Sequence, residues 1–230
     1  MKITTAIDYA ELSQLASSSI LSSVRENPSL FFCAATGGSP TGMYAEMAKH
    51  ASDFAHMRVM KMDEWGIIPA EHPDSCESYL KQHVLGPLAI PETRYFGFDT
   101  NMVDTDSECK RMQSVIALEG PFDICILGLG KNGHIAFNEP APFLNAKFHK
   151  ATLAASTIQH DPALSQGAEP AFGLCVGMEE ILQSKKIIFL VTGNGKEAAF
   201  KQIMTKQITT DCPASFLWLH PNVECYTTVS

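Results

Sequence analysis

The sequence is short of positive charge, and this shortage argues against one broad class of partner. Its 230 residues include 17 Lys and Arg against 25 Asp and Glu, a formal net charge of −8. Nucleic-acid binding depends on clustered basic side chains that contact phosphates. We therefore expect no nucleic-acid partner. A small phosphorylated ligand stays compatible with this charge, because a few local donors can hold one phosphate in an acidic protein.

Long apolar runs and paired cysteines are also missing. No run approaches the roughly 20 residues of a membrane-spanning helix, and the first residues lack the basic and apolar stretches of a signal peptide. The seven cysteines are odd in number, and none has CxxC spacing. This usage is typical of free, buried thiols in a reducing compartment. We expect a cytoplasmic protein with no membrane association.

The apolar residues that are present form four short runs, each followed by a polar or glycine-containing turn. Such runs are typical of strands buried on both faces of a sheet, and stretches with helical spacing lie between them. No repeat or linker interrupts the chain. The pattern predicts a single domain over residues 1–230, with a Rossmann-like three-layer α/β/α fold and a mostly parallel sheet. The four predicted strands are residues 30–35, 57–62, 122–127 and 186–191.

Predicted helices follow or precede these strands. They cover residues 9–27, 43–51, 75–88 and 197–204, and a short helix and a last strand are predicted between 214 and 229. Ligands bind at the carboxyl ends of the strands in sheets of this kind. We therefore expect the turns after the four strands to converge on one edge of the sheet and to form the functional site there.

Two of these turns have the composition of an anion site. Thr36, Gly37, Gly38 and Ser39 lie between a strand and a helix, where glycines let the backbone approach a ligand and helix N–H groups favour an anion. The turn lacks the Gly-Lys-Ser/Thr of a P-loop and the GxGxxG spacing of a dinucleotide site, and an ordinary turn explains it equally well. Lys196 starts a helix, where an anion would offset its unfavourable position in the helix dipole. A surface lysine is the alternative.

The other two turns carry groups suited to proton transfer. Asp63 and Glu64 stand where the second strand is expected to end, and an acidic pair there can supply a base, a metal ligand or a helix N-cap. His134 lies in a glycine-containing turn with Glu139 five residues on. Histidine is the usual proton shuttle near neutral pH, and a neighbouring carboxylate can fix its tautomer. A metal site needs three or four ligands, and no cluster here has ligand spacing, so we expect no bound metal.

Several motifs together resemble the glucosamine-6-phosphate deaminase/isomerase family. They extend over nearly the whole chain in the family's order: TGGSPTG at 36–42, MDEW at 62–65, HPDS at 72–75 and GHIAFNEP at 133–140. The related 6-phosphogluconolactonases share the fold and the Gly-His pair but continue differently, typically as GHTASLFP. Further stretches resemble the galactosamine-6-phosphate isomerase branch: SCESYL at 75–80, GLGKNGH at 128–134, LVTGNGK at 190–196 and PASFLWLH at 213–220.

The resemblance implies a reaction that needs no cofactor. An amino-sugar 6-phosphate becomes a ketose 6-phosphate plus ammonia, with galactosamine-6-phosphate giving tagatose-6-phosphate, or alternatively glucosamine-6-phosphate giving fructose-6-phosphate. It implies that Asp63 moves a proton from C2 to C1, that His134 opens the sugar ring, and that Glu139 pairs with His134. The residues it implies for binding the phosphate or nearby hydroxyls are Thr36, Gly37, Gly38, Ser39 and Lys196.

The chain departs from the family pattern at two places. The glucosamine-6-phosphate enzymes have an Asp two residues before the histidine, whereas Asn132 stands here, as in the galactosamine-type branch. Asn132 keeps an acceptor without the charge, so a protonated His134 is expected to depend mainly on Glu139. Family members also place a phosphate-binding Arg near residues 155–157, and residues 152–160 contain none. Either another donor is therefore expected to contact the phosphate, or the affinity for phosphate is expected to be weaker.

Three other interpretations of the sequence stay open. One is a catalytically silent member of the family, in which Asn132 marks loss of activity. A sugar-phosphate lactonase shares the fold and the histidine, and a sugar-phosphate sensor shares the architecture. A sensor is expected to carry a basic DNA-binding segment, and the residues before the first strand are few and not basic. The sequence leaves undecided whether the protein forms a homo-oligomer, whether it is allosteric, and whether residues 147–170 form an ordered lid.

Overall fold

Strands and helices alternate along the chain in the computed structural model, which describes residues 1–99, 104–160 and 170–229. The strands are β1 (Lys2–Thr5), β2 (Phe31–Ala34), β3 (Arg58–Lys61), β4 (Asp63–Trp65), β5 (Tyr95–Phe96), β6 (Ile124–Gly128), β7 (His149–Ala151), β8 (Gly173–Cys175), β9 (Ile187–Val191) and β10 (Val223–Thr227). The α-helices are α1 (Tyr9–Glu26), α2 (Gly38–Ala48), α3 (Cys76–Leu80), α4 (Thr105–Glu119), α5 (Ala155–His160), α6 (Met178–Leu182) and α7 (Glu197–Met204). A π-helical turn, Lys81–Leu85, continues α3, and 3-10 helices span Ala51–Phe54, Glu92–Arg94 and Pro213–Leu219.

Seven of the described strands form one parallel sheet, in the order β1-β10-β9-β6-β2-β3-β5. Every residue of β2 and β9 is buried. Successive side chains of a strand point to opposite faces, so both faces of the sheet are covered where these strands lie. The predicted α/β fold, a mostly parallel sheet flanked by helices, is confirmed.

The four predicted strands are neighbours in this sheet. They correspond to β9, β6, β2 and β3, which follow one another in the strand order. Because all four run parallel, their carboxyl ends lie at the same edge. The expected convergence of the four turns is confirmed, and this edge holds the candidate site.

Two local predictions are corrected. Helix α2 begins at Gly38, inside the predicted turn; Pro40 fits there because N–H groups in the first turn have no helical partner. Asp63 and Glu64 do not end the second strand. They begin β4, which pairs antiparallel with β8 in a second sheet that also contains β7. Met62 joins the two sheets, since its N–H donates to Ala34 and its carbonyl accepts from Val176.

The cysteine prediction agrees with this architecture. All seven cysteines are free and buried, as expected. Within the described residues, none of the helices has both the length and the apolar character needed to span a bilayer.

Candidate active site

A histidine–carboxylate pair lies in the turn after β6. His134 Nδ1 is 3.3 Å from Glu139 Oε2, and their side chains are 19% and 9% exposed. Glu139 also accepts hydrogen bonds from Asn132 Nδ2 at 2.7 Å and from Thr157 Oγ1 at 2.5 Å. Burial on its own would raise the pKa of Glu139, but His134 and the two other donors outweigh it and lower that pKa to about 2. Glu139 is therefore ionised at neutral pH.

Two glycines shape the turn that holds the histidine. A Cβ at Gly130 would lie 2.4 Å from atoms of the His134 ring. The ring therefore packs directly on the Gly130 backbone, and any side chain at position 130 would collide with it. Gly133 has a φ of +90°, in the left-handed region that favours glycine. The turn therefore directs Nδ1 of His134 toward Glu139, which leaves Nε2 as the nitrogen suited to exchanging protons with a ligand.

Asn132 joins the backbone of this turn to Glu139. Its Oδ1 accepts from the His134 backbone N–H at 3.2 Å, while its Nδ2 donates to Glu139. A carboxylate at position 132 would instead place a second negative charge beside Glu139. The structure thus brings Asn132, His134 and Glu139 together, and the amide at 132 supports the ionised form of Glu139 directly.

Asp63 is tied to two of the converging turns. It is 6% exposed. The Cys76 thiol lies 3.9 Å from Asp63 Oδ1, and Thr36 Oγ1 in the glycine-containing turn lies 3.6 Å from that thiol. Asp63 is also the register partner of Cys175, whose sulfur accepts from Phe137 N–H at 3.1 Å in the histidine turn. A carboxylate in this position can act as a base on a ligand held between the two turns.

The neighbouring Glu64 has a structural role. It is fully buried, and its carboxylate accepts from the backbone N–H groups of Cys76 and Glu77, both at 2.9 Å. Lys61, which is also fully buried, donates to Glu64 at 2.7 Å and to the Glu77 carboxylate at 2.8 Å. The buried charges compensate one another. Glu64 therefore anchors the start of α3 beside Asp63, while Ser75 is the N-cap residue of that helix.

The glycine-containing turn after β2 presents open backbone. Gly37 has a φ of +90°, and a Cβ built at Gly37 or Gly38 would meet nothing within 4 Å. Tyr79 and Thr41 hold the Gly37 carbonyl through hydrogen bonds of 2.8 and 3.0 Å. Helix α2 starts here, and its first N–H groups favour an anion. Ser39 lies in its first turn.

Two lysines lie where the turns after β6 and β9 meet. Lys196 occupies the N-cap position of α7, and its Nζ donates to the carbonyl of Leu129, the residue directly after β6. Lys131 is exposed, and its Cε lies 3.4 Å from a Cβ built at Gly195. The sequence indicated Lys196 but not Lys131, although Lys131 stands in the KNGH segment that carries the histidine.

Sequence reasoning also missed Thr157 and Cys76. Both approach the candidate acids, Thr157 at Glu139 and Cys76 at Asp63. The sequence around neither residue indicates its partner, because the two members of each pair are separated along the chain.

The stretch considered as a lid, residues 147–170, contains regular structure. His149–Ala151 form strand β7, and Ala155–His160 form helix α5. Residues 161–169 lie outside the described residues.

A known family matches almost the full length of this fold. The pattern described as "Glucosamine-6-phosphate isomerases/6-phosphogluconolactonase" matches residues 8–226. The chain belongs to this family, and it is an enzyme of the amino-sugar-6-phosphate isomerase/deaminase group within it. The family resemblance drawn from the sequence motifs is confirmed.

Individual relatives match over nearly the same range. The protein named "Putative deaminase AgaI" from Escherichia coli (strain K12) is 36% identical over 222 residues, covering 95% of this chain and 88% of the relative. The glucosamine-6-phosphate deaminase of Geobacillus sp. (strain WCH70) is 32% identical over 229 residues, with 97% and 91% covered. The two relatives are therefore similar to this chain to a comparable degree.

Two solved structures superpose on this chain over nearly its full length. A monomeric glucosamine-6-phosphate deaminase superposes with a TM-score of 0.91 at 30% identity, covering 99% of this chain and 97% of that one. A 6-phosphogluconolactonase from Trypanosoma brucei superposes with a TM-score of 0.77 at 20% identity, covering 98% and 95%. The lactonase likeness indicates a shared fold alone.

Proposed function

We propose that this protein converts galactosamine-6-phosphate and water into tagatose-6-phosphate and ammonia. The observation that carries the proposal is the His134–Glu139 pair, held by Asn132 in the KNGH form of the turn. The segment after the histidine has the deaminase form of the family rather than the lactonase form. Identity of 36% to the relative named "Putative deaminase AgaI" supports the deamination step.

Ring opening is assigned to His134. The anomeric hydroxyl loses a proton and the ring oxygen gains one, so one group must both take and give a proton. The Nε2 nitrogen of His134 can do this while Nδ1 stays against Glu139. The ionised Glu139 stabilises the imidazolium that forms during the transfer.

Proton transfer between carbons is assigned to Asp63. Its carboxylate takes the C2 proton of the open-chain amino aldehyde. The C–H electron pair forms the C1–C2 double bond of the enolamine, while the carbonyl π pair moves to O1, which takes up a proton from water. The proton on the Asp63 carboxyl group exchanges with solvent, and Asp63 then delivers a proton to C1. The C1–C2 double-bond pair takes that proton, and the nitrogen lone pair forms the C=N bond of a protonated imine at C2. Water adds to C2, and ammonia leaves with the electron pair of the C–N bond, so the ketose retains the oxygen of water. The position of Asp63 between the glycine-containing turn and the histidine turn supports this assignment.

The phosphate is assigned to the edge formed by the turns after β2 and β9. Thr36, Gly37, Gly38 and Ser39 offer hydroxyl and backbone donors next to open space, and Lys196 supplies positive charge. This arrangement takes the place of the Arg that residues 152–160 lack. Binding energy at the phosphate orients the reacting carbons.

Ammonia release from the two amino-sugar phosphates tests the proposal. We expect a higher kcat/KM with galactosamine-6-phosphate than with glucosamine-6-phosphate. Glucosamine-6-phosphate is the second candidate because relatives of 31–32% identity are named as deaminases of that sugar. A clear preference for it would overturn the galactosamine assignment and keep the reaction, whereas no ammonia from either sugar would overturn both.

A further inference from the structure

The Thr157 hydroxyl meets both members of the histidine–carboxylate pair. Thr157 lies in α5 and is 7% exposed. Its Oγ1 is 2.5 Å from Glu139 Oε1 and 3.5 Å from His134 Nδ1. No feature of the assigned reaction uses this residue, and it comes from an element separate from the turn that carries the pair.

The direction of the Thr157 hydrogen bond is fixed by the charge of its partner. Glu139, with a pKa of about 2, has no proton to donate at neutral pH. The single hydroxyl hydrogen of Thr157 must therefore point at Glu139 Oε1. Thr157 Oγ1 can then face His134 Nδ1 only with its lone pairs. Because lone pairs accept hydrogen bonds, they favour a proton on Nδ1.

The same hydroxyl completes the donor set around Glu139. Asn132 and His134 both approach Oε2, whereas Thr157 approaches Oε1. A carboxylate with partners on one oxygen can rotate, but a donor on each oxygen fixes its plane. Thr157 therefore determines where Oε2 lies with respect to His134.

We propose that Thr157 is a positioning residue that fixes the Glu139 carboxylate and selects the Nδ1–H tautomer of His134. This inference rests on the proposed function for its kinetic consequence only. Its structural content, the tautomer of His134, holds in the free protein. Docking of α5 thereby contributes to assembling the ring-opening pair.

Substitution of Thr157 by valine removes the hydroxyl and keeps the side-chain shape, whereas serine keeps the hydroxyl. The first measurement is the nitrogen NMR spectrum of histidine-labelled free protein, with the His134 signals assigned from His134→Gln. Wild type and Thr157→Ser are expected to show protonated Nδ1 and unprotonated Nε2 in neutral His134. Thr157→Val is expected to show a mixture of tautomers.

The second measurement is the kinetics of ammonia release. Thr157→Val is expected to lower kcat roughly 10-fold, the effect of one hydrogen bond to a charged group, with KM within about 2-fold of wild type. Thr227→Val is the matched control, because Thr227 is also buried and hydrogen-bonded, to Val229. It is expected to lower thermal stability without changing kcat or the His134 signals. If Thr157→Val does not fold, Thr157→Ala takes its place.

Unchanged His134 signals in Thr157→Val overturn the proposal, whatever the kinetics. Unchanged kcat in an active enzyme also overturns it. If wild type releases no ammonia from either sugar, the proposed function fails, and the NMR comparison alone decides the role of Thr157.

Discussion

At the scale of single residues, the chemistry of the site depends on the donors around Glu139. Asn132, Thr157 and His134 together hold its pKa at about 2 despite burial. The sequence predicted the pairing of His134 with Glu139 and the importance of position 132. It could not predict Thr157, because a hydroxyl 18 residues away carries no local signal of its partner.

Asn132→Asp is expected to change the pH dependence of activity. The new carboxylate would lie about where the amide donates to Glu139, at 2.7 Å, and two such carboxylates share a proton. In wild type Glu139 loses its negative charge only as the pH falls through about 2. In the variant the pair takes up a proton at higher pH, so the acid limb of kcat/KM is expected to move upward.

The measurement is the pH profile of kcat/KM for both proteins. Asn222→Asp is the control. The Asn222 side chain also donates a hydrogen bond, but its partner is the backbone carbonyl of Lys185, which is distant in the sequence. An acid limb at the same pH in Asn132→Asp and wild type contradicts this account of the amide.

At the scale of secondary-structure elements, the buried strands were predictable and the edge strands were not. β2, β6 and β9 are short apolar runs, and β3 has the apolar pair Val59-Met60 at its centre. In contrast, β5 has two half-buried residues, and β1 mixes exposed and half-buried positions. The three-stranded sheet could not be predicted either, because its strands pair across long sequence separations. This missed sheet is the reason that Asp63 begins a strand instead of ending one.

Gly130→Ala tests how the turn after β6 holds the histidine. The new methyl group would lie 2.4 Å from His134 ring atoms, so the ring must move. A displacement of about 1 Å at a catalytic group can cost 10²-fold in rate, and we expect a fall in kcat of about that size. Gly128→Ala is the matched control, since a Cβ there would make an ordinary 3.8 Å contact. Near-wild-type kcat in Gly130→Ala contradicts the assigned role of His134.

At the scale of the whole molecule, an acidic protein must bind a phosphorylated sugar. The net charge of −8 opposes a phosphate dianion at long range, so binding depends on donors at the carboxyl edge of the sheet. Composition alone indicated this requirement. The proximity of Lys131 to Gly195 could not be predicted from the sequence and is seen only in the folded structure.

Lys196→Met is expected to raise KM for the sugar phosphate about 10-fold or more, because it removes a charge-assisted contact. Inhibition by inorganic phosphate should weaken in parallel. Lys201→Met, in the same helix, is the control and should leave both constants unchanged. Equal KM values for Lys196→Met and wild type would place the phosphate elsewhere.

The central claim is that Asp63 transfers a proton at C2 of an amino-sugar 6-phosphate. The most direct measurement is deuterium incorporation during incubation with galactosamine-6-phosphate in heavy water, with wild type beside Asp63→Asn. We predict deuterium at C2 of recovered substrate or at C1 of the ketose with wild type, and none with the variant. Equal incorporation by both proteins, or hydrolysis of a sugar-phosphate lactone by wild type without any incorporation, would contradict the claim.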